Sequence, residues 1–297
     1  MSDNSSSIAV SMTKAKPKYK ISGQKIQSLL LRAAVWLCAG ITILALISLI
    51  IYILYKGVPN LSLSLFETKY TTDNLSLFPA LVNTVTIVLL ALVVAVPLGV
   101  FSAIYLVEYA KRGNKLVGIV GITTETLSGI PSIVYGLFGY LFFVVRLKWG
   151  YSILAGALTL AIMILPLIMR TTEEALKSVP DSYREGSFAL GAGKLRTVFR
   201  IVLPPAVPGI LSGIILSIGR IVGETAALIF TAGTVAQVPK SVMGSGRTLA
   251  IHLYALWNEG LAAEQSYATA VVLLVIVILI NMLSSAIAGK ITKGTKG

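Results

Sequence analysis

Residues 185–204 read EGSFALGAGKLRTVFRIVLP. EGSFALG (185–191) is followed, after nine more residues, by IVLP (201–204). On a short helix Tyr183, Ser187 and Leu190 share one face, with Phe188 adjoining, and Gly191 suits the left-handed conformation that stops such a helix. Pro204 suits the first turn of the next helix, where a missing amide costs little. The stretch therefore predicts a helix, a turn and a second helix, the first carrying aromatic and aliphatic side chains that fit a groove in another protein. GAGK (191–194) inside it is no nucleotide loop. A P-loop needs a glycine five residues before its second glycine and Ser or Thr after the lysine, and Phe188 and Leu195 stand there.

Outward from this stretch the chain is apolar. A bilayer core of about 30 Å takes about 20 apolar residues per helix, and runs free of Asp, Glu, Lys and Arg cover 33–55, 79–107, 149–169, 201–219 and 267–289. The run at 201–219 is expected to continue past Arg220 and Glu224 to about residue 238. A sixth, 116–145, holds one charge, Glu125. Only 12% of the 297 residues are charged, about half the usual 25% of soluble domains, and the mean hydropathy is +0.86. An ordinary cytosolic enzyme is excluded. One cysteine and one histidine exclude a disulfide framework and a Cys/His metal site, which need several ligands at set spacing.

Six spans place both termini on one side. Cytoplasmic loops hold the excess of Lys and Arg, and the side of the termini carries 18 of these residues against 6 on the other, with Arg220 inside a span. Both termini are predicted to be cytoplasmic, and the loop 171–200 with them. The net charge of +13 follows from this topology and from contact with anionic lipid, so no nucleic-acid partner is implied. The Lys-rich residues 1–27 read as a disordered tail, and the first apolar run as a retained signal anchor. Within the external loop 237–265, Leu249, His252, Leu253 and Leu256 share a helical face beside Trp257, which predicts a short interfacial helix. His252 there reads as an interface residue, and Cys38 as packing within a span.

Breakers interrupt the spans at Pro97 and Gly99, Gly129-Ile130-Pro131, Pro166, Pro204-Pro205 and Pro208-Gly209. In lipid, freed backbone groups need protein or water as partners, so broken helices suit a protein that moves or lines a path. Arg220 and Glu224 lie in the fifth span, Arg220 about 14 residues or roughly 21 Å of helix from Ala206. Their i,i+4 spacing lets the side chains meet.

The spacing of 185–204 resembles the EAA loop of ABC-importer permeases, in which Glu-Ala-Ala, three residues, Gly, nine residues and Ile-x-Leu-Pro build a helix, a turn and a helix; Gly186 and Ser187 replace the two alanines. PLGVFSAIYLVEYA (97–110), SGIPSIVYG (128–136) and GRIVGET (219–225) are similar to the two permeases of the phosphate-specific ABC importer. AALIFTAG (226–233) and IHLY (251–254) look more like its A-type than its C-type subunit. The likeness runs from about 79 to 290. It implies an all-α integral membrane protein with the six transmembrane helices of the type I ABC-importer permease fold. The transmembrane domain then covers 28–290, with a coupling loop at 170–204 and a second tail at 291–297.

The resemblance further implies a multi-pass subunit in a prokaryotic plasma membrane. Its partners would be a second, C-type six-helix permease, a dimer of ATPase subunits and an extracellular phosphate-binding protein. No cofactor is expected in this chain, ATP and Mg being bound by the ATPase. Glu185, Gly191, Tyr183, Phe188 and Leu190 would couple to that ATPase. Arg220 would offer positive charge on the phosphate path, with Glu224 holding it until the path opens. The alternatives are the C-type subunit, a permease for sulfate or molybdate, and, from other classes, a membrane enzyme or a channel. An enzyme should cluster catalytic polar groups at one depth, yet only Glu125, Arg220 and Glu224 are ionisable in the spans; a channel has no use for an ATPase-docking loop.

Overall fold

The computed structural model describes residues 21–294 apart from positions 112, 114, 259 and 261. Eleven α-helices follow one another among these residues: α1 (Ile21–Gly57), α2 (Phe78–Ile104), α3 (Lys115–Ser128), α4 (Ser132–Gly139), α5 (Ile153–Lys177), α6 (Asp181–Ala189), α7 (Lys194–Thr197), α8 (Leu203–Val222), α9 (Ala226–Thr231), α10 (Leu249–Asn258) and α11 (Ala263–Gly294). Wider π-turns extend three of them, at Tyr105–Tyr109, Tyr140–Arg146 and Val198–Val202. Of the expected tails, residues 1–20 and 295–297 lie outside the described residues, whereas 21–27 and 291–294 are helical.

Among the described residues five helical stretches are long and apolar enough to cross a membrane: Gln27–Asn60, Phe78–Tyr109, Ile153–Lys177, Lys194–Val222 and Ala263–Leu283. The expected third span is instead a pair, Val117–Ser128 and Ser132–Arg146, bent by 102°. Pro131 causes the break, since it has no N–H and disfavours the α conformation before it. The Tyr135 hydroxyl donates to the Leu127 carbonyl at 2.9 Å, so one carbonyl freed by the break keeps a partner. The other prolines do not break their helices: α2 runs through Pro97, α5 through Pro166 and α8 through Pro208. Pro204 and Pro205 fall in the first turn of α8, where no amide is needed.

Residues up to Tyr52 form one compact unit and the rest another. In the first, the apolar side chains of α1, Trp36 and Leu44 among them, are exposed; so is Cys38, expected to be packed. In the second, α5 is the central helix. Leu160, Ile164 and Ile168 on it are fully buried and pack with Ile87, Ala91 and Ala95 of α2, Ile221 of α8 and Leu228 of α9. Lipid tails are as apolar as these side chains, so close packing holds the helices together, and small residues permit it. A Cβ on Gly99 of α2 would stand 2.7 Å from Ile168 Cγ2.

Ser152 starts α5 by accepting from the Ala155 amide. The first turn of α5 is pinned by Ile153 N–H to the Gly244 carbonyl (3.0 Å) and Leu154 N–H to Val242 (2.9 Å), while Asn83 of α2 donates to the carbonyls of Gln237 and Arg247. The loop before α10 thus caps one end of α5, and α6 lies at the other, roughly 37 Å away. The face of α10 is turned inward, unlike the interfacial helix expected: Leu249, His252 and Leu256 are buried, Leu249 in a cluster with Leu65, Leu77 and Ala80.

Candidate functional site

The predicted helix, turn and helix are present as α6, a tight stop and α7 leading through the π-turn into α8. The Gly191 amide donates to the Phe188 carbonyl (2.9 Å) and the Ala192 amide to Ser187 (3.1 Å), with Gly191 at φ +80°. This is the Schellman arrangement that terminates helices on a left-handed residue. Tyr183 (52% exposed), Phe188 (47%) and Leu190 (90%) face outward. Glu185 is exposed too and has no ion pair among the described residues. Ser187 departs from the expected face: it is buried and shares a hydrogen bond of 2.8 Å with the Thr197 hydroxyl. Its short side chain ties α6 to α7, and the aromatic groups are left for a partner. Between α6 and the start of α8 lies an open groove of about 1680 Å³, walled by Tyr183, Leu190, Leu195, Phe199, Arg200 and Pro204. Lys194 of GAGK stands over the Tyr109 ring, 5.2 Å from its centroid.

Arg220 and Glu224 are not brought together. The helix carrying Arg220 stops at Val222 rather than continuing to residue 238, and Gly223, Glu224 and Thr225 separate it from α9. Arg220 sits exposed in the last turn of α8, where the helix dipole favours a cation, and has no ion pair among the described residues. Glu224 is buried and its Oε1 accepts from the Ala227 amide at 3.1 Å. The break between α8 and α9 lies beside the break between α3 and α4: a Cβ on Gly136 of α4 would meet Ala227 Cα at 2.7 Å. The two helix breaks thus lie close together, and Arg220 stands two residues before one of them.

The sequence reading missed the ion pair between Arg184 of α6 and Glu108, which ends the second span. The guanidinium Nη2 lies 2.7 Å from Glu108 Oε1, and the side chains are 15% and 7% exposed. Glu108 is a lone acid at the end of an apolar run, a signal that could have marked it, although its partner 76 residues on could not be read from spacing. Among the described residues no group of three or more His, Cys, Asp or Glu could hold a metal.

Long apolar helices, one expected span sharply bent at Pro131 and a short glycine-stopped helix at one end are features of a membrane transport subunit. The profile of the family described as "Binding-protein-dependent transport system inner membrane component" matches residues 95–297, and the chain belongs to that family. It is 35% identical over 256 residues to the "Probable ABC transporter permease protein YqgI" of Bacillus subtilis, covering 81% of this chain and 87% of that one. To the "Phosphate transport system permease protein PstA" of Yersinia pestis it is 36% identical, over 79% and 81%. To PstA 1 of Mycobacterium tuberculosis it is 38% identical, over 71% and 69%. Its fold is that of ABC-transporter membrane subunits. A structure of the MetNI methionine ABC transporter superposes with a TM-score of 0.59 over 73% of this chain and 94% of that chain at 24% identity. One from an importer of the polysaccharide alginate gives 0.57 over 90% and 99% at 17%.

Proposed function

We propose that the chain is the A-type membrane subunit of an ATP-driven importer of inorganic phosphate, forming part of the substrate path and coupling it to a separate ATPase. The observation that carries this is the exposed, Schellman-stopped helix α6, whose side chains Tyr183, Phe188 and Leu190 have the character of a docking element; relatives named as phosphate permeases supply the substrate. The C-type subunit and a sulfate or molybdate permease are the competing readings.

In this reading α6 and both termini are cytoplasmic, as the 18 to 6 distribution of Lys and Arg supports. ATP and Mg are held and hydrolysed by the partner ATPase dimer, a second six-helix permease completes the path, and an extracellular binding protein delivers phosphate to the opposite end. Arg220 offers the passing anion a bidentate fork. Its position at the meeting of two helix breaks supports that role, and Glu224 fixes the start of α9 beside it. The test is phosphate uptake by vesicles carrying this chain with its candidate permease, ATPase and binding protein. ATP-dependent uptake that sulfate and molybdate do not compete is the expected result, and uptake of either of those anions in preference overturns the assignment.

A further inference from the structure

One guanidinium ties three elements together at the α6 end of the molecule. Arg184 of α6 donates to Glu108 Oε1 from Nη2 at 2.7 Å and from Nε at 3.1 Å. It also donates to the Leu176 carbonyl in the last turn of α5 (2.9 Å) and to the Val179 carbonyl just beyond it (2.8 Å), and reaches the exposed Asp181 at 3.2 Å. The other ion pairs among the described residues, Arg170–Glu174 and Lys177–Glu173, are partly or fully exposed and lie within α5. The 184–108 pair is shielded and joins distant segments.

We propose that Arg184 and Glu108 are positioning residues for energy coupling: the clamp between them delivers a load on α6 to α2 and α5. This rests on the reading of α6 as an ATPase-docking helix. Within α6 only Ser187 is buried, so little apolar packing holds this helix to the bundle. Ser187 leads to α7, whereas Arg184 leads to the ends of both α2 and α5. Those two helices pack closely, with Gly99 against Ile168, and α5 packs on α8, whose last turn carries Arg220. A charge-assisted pair in which two guanidinium donors converge on one carboxylate oxygen, with two backbone carbonyls held beside it, is stiff in direction as well as strong, so a displacement of α6 is carried into the spans. Without it α6 is free to follow its partner while the spans stay behind.

The test uses the assembled transporter with Glu108→Gln or Arg184→Lys. Glu108→Gln keeps shape but removes the charge, and a lysine, with its donors on a single nitrogen, cannot reproduce the bonds that Arg184 makes from three nitrogens to Glu108, Leu176, Val179 and Asp181. Both variants are expected to assemble and hydrolyse ATP while the phosphate moved per ATP falls by roughly tenfold, within the range found for substitutions along coupling networks. A parallel fall of hydrolysis and transport at constant ratio, or loss of assembly in both variants, means that the pair is only structural. A second measurement needs no knowledge of the substrate. In a Cys38→Ser background, spin labels at Ser182 and Ser102 are expected to keep a constant separation through the ATP cycle in the unmodified clamp and to change separation in Glu108→Gln. A separation equally constant in that variant overturns the proposal even if phosphate proves to be the wrong anion.

Discussion

Glu224 turns away from Arg220: its carboxylate accepts a hydrogen bond from the Ala227 amide, while the guanidinium four residues earlier carries no ion pair among the described residues. A helix running through both would have let them neutralise each other. The stop at Val222 prevents this and leaves a cation beside two helix breaks. Arg220→Gln is therefore expected to preserve assembly and lower phosphate uptake by roughly 10- to 150-fold, since hydrogen bonds to charged groups are worth about 1.5–3 kcal/mol. Arg220→Lys should retain part of the activity because charge survives and the fork does not. Since the two groups do not pair, the effects of Arg220→Gln and Glu224→Gln should add in the double variant. Compensation between them in uptake assays would show a hidden pair.

Gly191 has open space where a Cβ would lie, and its φ of +80° is the only obstacle to a side chain. The left-handed region costs L-residues about 1–2 kcal/mol, and β-branched ones tolerate it least. Gly191→Val should misdirect the stop of α6 and abolish uptake while the membrane subunits still assemble, whereas Gly191→Asn should keep a substantial fraction. Equal activity in the two variants would remove the conformational argument.

The apolar runs and the Glu185 to Pro204 spacing made the helices and the α6 stop legible, because hydropathy and a left-handed glycine act locally. Three features were beyond such signals. The 102° bend at Pro131 looks in sequence like the harmless Pro97 and Pro166, since whether a proline breaks a helix depends on what satisfies the freed carbonyl, here Tyr135. The inward face of α10 depends on Thr84, whose hydroxyl accepts from the Leu249 amide. The Arg184–Glu108 pair depends on α5 running parallel to α2, so that the C-terminal ends of both helices meet α6 and residues 76 apart come into contact.

Orientation is open to a direct measurement. With Cys38 replaced, a cysteine at Lys194 is expected to react with an impermeant reagent only in inverted vesicles, and one at Lys69 or Lys240 only in intact cells. Labelling of position 194 in intact cells would place α6 outside and remove the ATPase from its reach.

His252, at the end opposite α6, gives a pH prediction. Burial, and after it the Arg247 charge, hold its imidazole well below the ordinary value of 6.5, at about 3. The ring is fully buried and stands edge-on to Tyr70 at 6.1 Å, whose own face carries Arg247 at 4.6 Å. Between the ordinary value of 6.5 and about 3 the native ring therefore stays neutral while the unfolded one charges. Above about pH 7 neither state is protonated and His252 adds no pH dependence. As pH falls through 6.5 towards 3 the unfolded chain takes up a proton that the native state refuses, and stability is lost. His252→Gln removes that titration, so its melting temperature, lower than that of the unmodified protein at pH 7.5 if the edge contact with Tyr70 matters, should fall less steeply between pH 6.5 and 5. Parallel slopes for the two proteins would mean that this ring is protonated in the native state as readily as in the unfolded one, and that Arg247 and Tyr70 do not enclose it.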